Sequence, residues 1–194
     1  SLSSIVIPDS VEIIGDKAFY HCLKLVDVSL SDNLDTIGDN AFAECRSLTE
    51  ISVPDGVTTL GNRVFYYSVK LENINLPTSL EEIGTAVFTG SKWFNDHSKD
   101  GYLITDNNML IKYLGSKADI EIPNEINYIA PYAFADNINV KTVVVPKGVK
   151  VISNSAFRRC NNLKEITLPS TIEVIGNYAF AEDHSLTKIN MPSG

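Results

Sequence analysis

The chain has 194 residues, of which 44% are apolar and 21% charged, as in an ordinary folded protein of one domain or a compact pair. Its net charge of −8 at pH 7 argues against nucleic-acid binding, which requires a basic face. The excess negative charge lies in residues 1–96, with 6 Lys/Arg against 14 Asp/Glu, whereas residues 97–194 carry 10 of each. No apolar run approaches the roughly 20 residues of a membrane span.

The first residues, SLSSIVIP, begin in the middle of a pattern that recurs along the chain. No signal peptide is visible there. We therefore expect the sequence to be a fragment of a longer protein.

A 23-residue repeat organises the sequence. The stretch GDKAFYHCLKL at 15–25 recurs as GDNAFAECRSL at 38–48, and all three cysteines lie three residues after a phased Phe. Seven of the eight prolines keep the same period, the last being Pro192. A fixed period of this length predicts a solenoid of about eight coils, in which each coil covers the apolar side of the next. The phased phenylalanines are Phe19, Phe42, Phe65, Phe88, Phe134, Phe157 and Phe180.

Each coil begins with a short alternating strand, such as IVIP or ISVP, and a proline ends it because proline has no N–H for a neighbouring strand. A second apolar pair follows, and then a glycine suited to a corner with positive φ. The next residue is usually Asp or Asn, which we interpret as the N-cap of a short helical turn, xAFxxC. In that turn we expect Phe to be the recurring core residue and Cys a small apolar one.

The consensus L-x-x-I-x-L-P-x-x-V-x-x-I-G-x-x-A-F-x-x-C resembles the BspA-like leucine-rich repeat family, also called the Treponema pallidum-type repeat, over nearly the whole chain. The resemblance implies a right-handed leucine-rich-repeat solenoid with a parallel β-sheet on its concave face and short strands or helical turns on its convex side. We accordingly expect residues 1–194 to form a single solenoid domain. The resemblance also implies an extracellular or cell-surface bacterial protein used in adhesion or host binding, and it supplies no catalytic motif.

One coil, at about 89–122, breaks the pattern. Ile111 stands where the period requires Phe, and GYLITDNNMLIKYL has two alternating strands around a polar Asp-Asn-Asn turn, which predicts a β-hairpin. The aromatic residues of segment 92–116 form either a binding patch or the packing that replaces the missing Phe in a widened coil. These aromatic residues are Trp93, Phe94, Tyr102 and Tyr113.

The cysteines and histidines offer no catalytic or metal-binding pattern. Cys22 and Cys45 should face each other on adjacent coils at about 4.8 Å, where a disulfide is one alternative. We expect all three cysteines, including Cys160, to be thiols instead. The sequence has no C-x-x-C or H-x-x-x-H motif, and the three histidines fall in different phases of the repeat. We therefore predict no catalytic residue, no metal and no cofactor.

The outward side chains of the predicted strands are the remaining candidates for function. They do not repeat from coil to coil as the core positions do, which is expected of side chains that contact solvent or a partner. The candidate residues of this concave face are Asp27, Ser29, Glu50, Ser52, Asn73, Asn75, Asp119, Glu121, Thr142, Glu165 and Thr167.

These observations predict a non-enzymatic module that binds a protein or a glycan. The alternative is a structural spacer or stalk that displays another domain, and an enzyme is a more distant alternative. A spacer should have a uniform strand face, whereas this face varies and one coil is irregular. The acidic first half favours a basic or neutral partner.

Overall fold

The computed structural model of the protein describes residues 2–191, which divide into two compact units. Unit 1 comprises Ser1–His97 and unit 2 comprises Ser98–Gly194. Pro192, the last of the phased prolines, lies outside the described residues. Each unit is largely a stack of short parallel strands joined by turns, so the predicted solenoid of stacked coils is confirmed.

Unit 1 contains alternating strands of three and two residues, followed by one short helix. The elements are β1 (Ser4–Val6), β2 (Ile13–Ile14), β3 (Asp27–Ser29), β4 (Thr36–Ile37), β5 (Glu50–Ser52), β6 (Thr59–Leu60), β7 (Asn73–Asn75), β8 (Glu82–Ile83) and α1 (Lys92–His97). The two-residue strands form one parallel sheet in the order β2-β4-β6-β8. The three-residue strands pair as β1 with β3 and β5 with β7, also in parallel. Ser4 lies opposite Asp27 and Glu50 opposite Asn73, so each pairing is offset by one 23-residue repeat.

Unit 2 begins with a hairpin and continues with the same alternation. Its elements are β9 (Ser98–Lys99), β10 (Tyr102–Ile104), β11 (Met109–Tyr113), β12 (Asp119–Glu121), β13 (Tyr128–Ile129), β14 (Thr142–Val144), β15 (Val151–Ile152), β16 (Glu165–Thr167), β17 (Val174–Ile175) and β18 (Lys188–Asn190). One sheet has the order β17-β15-β13-β11-β10-β9, and the other has the order β12-β14-β16-β18. Strands β10 and β11 pair antiparallel, which confirms the predicted hairpin in the irregular coil.

The core of each unit is a column of aromatic rings flanked by aliphatic side chains. In unit 1 Phe42 is fully buried and stacks on Phe19 at 5.1 Å and on Phe65 at 6.0 Å between ring centroids. In unit 2 Phe134 and Phe157 stack at 4.6 Å. One coil cannot cover such a ring alone, so burial depends on the neighbouring coil.

The segments that contain the phased Phe residues are turns that form backbone hydrogen bonds with the next coil. They are not the short helical turns that the sequence predicts. Backbone N–H groups of Lys17 and Phe19 donate to the carbonyls of Asp39 and Ala41 in the next coil. A helix would use these groups within one coil. Two residues of each such turn have positive φ, for example Lys17 (58°) and His21 (60°) in the first coil.

The phased glycines have a different role from the predicted one. None of them has positive φ, so the prediction of a left-handed corner is wrong. The reason for glycine is the close approach of successive coils. A Cβ on Gly61 would lie 2.6 Å from Asp39 Oδ1 and 2.7 Å from Asp39 N, whereas a Cβ on Gly15, in the first coil, would meet nothing within 4 Å.

The Asp or Asn that follows the glycine position, which Ser153 occupies before Asn154, also acts between coils. Asp16 Oδ1 accepts a hydrogen bond from Asp39 N at 2.7 Å, and Asp39 Oδ1 accepts one from Asn62 N at 2.6 Å. Asn154 Oδ1 accepts one from Asn177 N at 2.8 Å. The N-cap interpretation is therefore wrong, because these side chains satisfy backbone donors of the next coil and not those of their own turn.

The hairpin changes which residue begins the aromatic column of unit 2. Tyr113 stacks on Phe134 with ring centroids 5.4 Å apart, and Tyr113 N donates to Ala133 O as Phe134 N donates to Ala156 O. Tyr113 therefore occupies the Phe position, two residues after the Ile111 that a strict period designates. Ile111 is itself buried, at 4% exposure. The hairpin makes the spacing from Phe88 to Tyr113 25 residues and that from Tyr113 to Phe134 21 residues.

Candidate functional site

We define the strand face as the first and third residues of the three-residue strands. In unit 1 the middle residues of these strands, such as Ile51 and Ile74, point into the core, and the flanking residues are exposed. The alternation follows from the period of two along a strand. The exposed candidate residues of unit 1 are Asp27, Ser29, Glu50, Ser52, Asn73 and Asn75.

The side chains of the unit 1 strand face have no partner among residues 2–191. None of the six takes part in a hydrogen bond or an ion pair within the described part of the chain. Two of the six are carboxylates, Asp27 and Glu50, on successive coils in the same phase of the repeat. Their charges are therefore left to solvent or to a ligand.

The strand face of unit 2 is largely occupied by bonds among its own side chains. Thr142 Oγ1 donates to Asp119 Oδ1 at 2.7 Å. Lys188 Nζ and Asn190 Nδ2 donate to Glu165 Oε1 at 2.7 and 2.8 Å, and the Lys188 bond in particular lowers the pKa of Glu165. Asn190 Nδ2 also donates to Thr167 Oγ1 at 3.3 Å. Glu121 is exposed at the end of β12.

Sequence reasoning did not identify Lys188 and Asn190 as strand-face residues. Both lie on β18, directly opposite Glu165 and Thr167 of β16. The signal was present, because Lys188 follows Glu165 by one 23-residue repeat. Lys188 neutralises the strand-face carboxylate of Glu165 and Asn190 donates a further hydrogen bond to it, which makes this part of the face unlike its counterpart in unit 1.

The aromatic residues of the irregular coil do not form an exposed patch. Trp93 is fully buried and packs on Phe88 at 4.7 Å between ring centroids. Tyr102 and Tyr113 are 8% and 4% exposed and pack on each other at 5.0 Å. Phe94 is partly buried. This placement favours the packing interpretation over the binding patch.

The three cysteines are free thiols, and two of them also donate hydrogen bonds. Cys45 and Cys160 are fully buried, and burial raises the pKa of each thiol to about 12. Cys45 Sγ donates to Phe19 O at 3.2 Å, and Cys160 Sγ donates to Phe134 O at 3.1 Å. At neutral pH both are protonated, so neither is an activated nucleophile.

The histidine and acidic side chains within residues 2–191 do not come together to form a catalytic or metal site. His21 approaches Glu44 at 4.0 Å, His97 Nδ1 lies 2.9 Å from Trp93 O, and His184 is exposed. Within residues 2–191 no group of three His, Cys, Asp or Glu side chains is arranged to hold a metal ion. No helix within residues 2–191 is long and apolar enough to cross a membrane.

Comparisons with known proteins identify the repeat. A model of the BspA-type leucine-rich repeat region matches six copies, over residues 1–96 and 111–194, and leaves out 97–110, which includes most of the hairpin. A search of curated protein sequences finds no match.

Solved structures of bacterial leucine-rich repeat proteins resemble the fold. The pneumococcal vaccine antigen PcpA is 24% identical over 97% of this chain, with a TM-score of 0.51. This chain spans 58% of the antigen's length. The T. pallidum leucine-rich repeat protein is 28% identical over 95% of this chain and 78% of its own, with a TM-score of 0.43. A leucine-rich cell surface protein from Faecalibacterium prausnitzii is 21% identical over 100% of this chain and 80% of its own, with a TM-score of 0.35.

The family match covers far more than half of the residues, and the coil geometry agrees with it. The chain belongs to the BspA-type leucine-rich repeat family.

Proposed function

We propose that the chain is a non-enzymatic binding module of a bacterial cell-surface protein, and that it engages its partner through the strand face of unit 1. The surface location is supported by membership of the BspA-type repeat family and by the similarity to a pneumococcal vaccine antigen. The binding role is supported by one observation on this chain. Six exposed polar side chains lie on neighbouring coils without a partner among the described residues.

The contrast with unit 2 supports the choice of surface. There Asp119, Glu165 and Thr167 already accept hydrogen bonds from neighbouring side chains. A ligand would have to break those bonds before it could make its own, whereas Asp27 and Glu50 are unpaired. The unit 1 face can therefore form new polar contacts with a smaller loss.

The charge of unit 1 supports a protein partner with Lys or Arg side chains. Residues 1–96 carry eight more acids than bases, and two of those acids lie on the strand face. A basic partner would gain from the long-range field and from direct carboxylate contacts, and both effects weaken with salt. A glycan is the other ligand class that this polar face suits, and it would show little salt dependence.

The test compares two double variants with the same change in net charge. Peptides selected from a random display library, and glycans from an array, are titrated against the wild-type chain at low and high ionic strength. Asp27→Lys/Glu50→Lys reverses the strand-face acids. Asp9→Lys/Asp55→Lys reverses two exposed acids of the same unit that lie in turns, outside the strand face.

We expect the strand-face variant to lose at least about tenfold in affinity for a selected basic peptide, or about 1.4 kcal/mol. The turn variant should lose much less. Equal losses would mean that only the net charge of unit 1 matters, and unchanged binding by both folded variants would exclude this face. If neither peptides nor glycans bind the wild type, the spacer interpretation replaces the proposal.

A further inference from the structure

In three coils the residue three positions after the Phe position is a small side chain that donates to the backbone of the preceding coil, whereas Ser91 at this position donates to Phe88 O of its own coil. Cys45 Sγ donates to Phe19 O, Ser68 Oγ donates to Phe42 O at 2.8 Å, and Cys160 Sγ donates to Phe134 O. In each of these three cases the donor follows the acceptor by 26 residues. The carbonyl of the phased Phe thus receives there a second hydrogen bond from the side chain of the next coil.

Asp183 stands at this position in the last coil that the structure describes. Its Oδ1 accepts a hydrogen bond from Cys160 N at 2.7 Å, as Ser68 Oγ accepts one from Cys45 N at 3.2 Å. Its Oδ2 is buried and has no hydrogen-bond partner among residues 2–191.

Within residues 2–191 the carbonyl of Phe157 receives no such second bond, and neither does that of Phe65, because Ser91 Oγ donates to Phe88 O instead. Phe157 O accepts from Cys160 N at 3.1 Å, as Phe42 O accepts from Cys45 N at 3.4 Å. The spacing of 26 residues designates Asp183 as the missing second donor. A thiol or a hydroxyl can donate there, but an ionised carboxylate cannot, because it has only acceptors.

We infer that Asp183 is a proton-operated latch on the last described coil: the protonated carboxyl donates from Oδ2 to the carbonyl of Phe157, and loss of the proton removes that bond. In the ionised state Asp183 Oδ2 and Phe157 O would both be acceptors in a buried site with no donor between them, which is unfavourable. Burial raises the pKa of Asp183 to about 6, in agreement with a carboxyl that is neutral in the folded chain at acidic pH.

The charged and titratable neighbours do not supply the missing donor. On the preceding coil the Cys160 thiol faces Asp183, and its pKa is raised to about 12, so it stays neutral. Lys112 and Asp136 act on Cys160 from further along the stack. On the coil of Asp183 itself, Glu182 is held by Arg158 and Arg159, and the charge of His184 opposes the rise in the Asp183 pKa.

The hydrogen bond from protonated Asp183 to Phe157 O stabilises the coil at acidic pH and is lost toward neutral pH. Since the pKa is raised from 3.8 to about 6 in the folded state, its contribution is fully present below about pH 4 and is lost as the pH rises through 6. The last described coil should therefore open more readily at neutral pH than at about pH 5. Over the full range from below pH 4 to above pH 6 the shift corresponds to a change of about 100-fold in the opening equilibrium, of which about tenfold falls between pH 5 and pH 7.5.

The test measures the titration of the Asp183 carboxyl and the opening of the last described coil in separate experiments. A carbon-13 NMR titration of the wild-type chain should place the Asp183 carboxyl midpoint near 6. Hydrogen exchange of the amides in 176–190, corrected for the intrinsic pH dependence of exchange, should show greater protection at about pH 5 than at about pH 7.5. Asp183→Asn and Asp183→Ser each keep an acceptor and add a permanent donor, so both should abolish this difference.

His184→Gln is the control, because histidines as a class also change charge between pH 5 and 8. This variant should still show greater protection at about pH 5 than at about pH 7.5, with the Asp183 pKa shifted upward because the charge of His184 no longer lowers it. A carboxyl midpoint near 4 would overturn the inference. So would an Asp183→Asn variant that retains the wild-type pH dependence, or a His184→Gln variant that loses it.

Discussion

The role of the phased glycines can be tested by one substitution made at two positions. At Gly61 an added Cβ would lie 2.6–2.7 Å from Oδ1 and N of Asp39 and from C of Gly38. Two of these three atoms belong to backbone, so the coils must separate locally. At Gly15 the same Cβ would meet nothing within 4 Å.

We expect Gly61→Ala to lower the free energy of unfolding by about 2–4 kcal/mol. Overpacking contributes about 1–3 kcal/mol. Weakening of the hydrogen bond that Asn62 N donates to Asp39 Oδ1, at 2.6 Å, contributes about 1 kcal/mol more. Gly15→Ala should be neutral or stabilise by up to about 1 kcal/mol, because Gly15 does not have positive φ and alanine restricts the unfolded chain.

The assay is urea unfolding of the two variants and the wild type, followed by tryptophan fluorescence and by circular dichroism. At about 2–4 °C per kcal/mol, Gly61→Ala should also lower the melting temperature by about 4–16 °C. Equal effects of the two substitutions would refute the reasoning, because only Gly61 contacts a preceding coil. A large loss at Gly15 would show that this position depends on its own backbone conformation.

Three further predictions concern the column of rings and the cysteines. Phe42→Ala should cost about 3–5 kcal/mol, because Phe42 is fully buried between two rings, and an unchanged unfolding midpoint would contradict its place in the core. Thiol titration in denaturant without reductant should find all three cysteines, and a single thiol would indicate a disulfide between two of them. In the native protein Cys22, which is partly exposed, should react before Cys45 and Cys160, whose thiol pKa values are raised to about 12.

The repeat period predicted the parts of the fold that depend on local pattern. The alternation of NINLP predicts that Ile74 is buried and that Asn73 and Asn75 are exposed, and the structure agrees. The polar turn DNN between two alternating runs likewise predicted the β10–β11 hairpin. These features follow from side-chain alternation and turn chemistry, which a single sequence contains.

Features that depend on neighbouring coils could not be predicted in the same way. Glycine suits both a positive φ and a close backbone approach, and the two are distinguished only by the observed φ and by the distance from a Cβ on Gly61 to Asp39. Tyr113 and not Ile111 joins the ring column, and this depends on which residue of the hairpin comes to lie beside Phe134. The bonds of Glu165 with Lys188 and Asn190 depend on rotamers that the sequence does not specify.

The central claim is that the strand face of unit 1 is the recognition surface, and an NMR titration tests it most directly. A peptide selected from the display library is added to the isotope-labelled chain, and the amide shifts are mapped on the sequence. We predict that the largest changes lie in β3, β5 and β7, at Asp27–Ser29, Glu50–Ser52 and Asn73–Asn75. Changes confined to the turns, or to β12, β14, β16 and β18 of unit 2, would contradict the account.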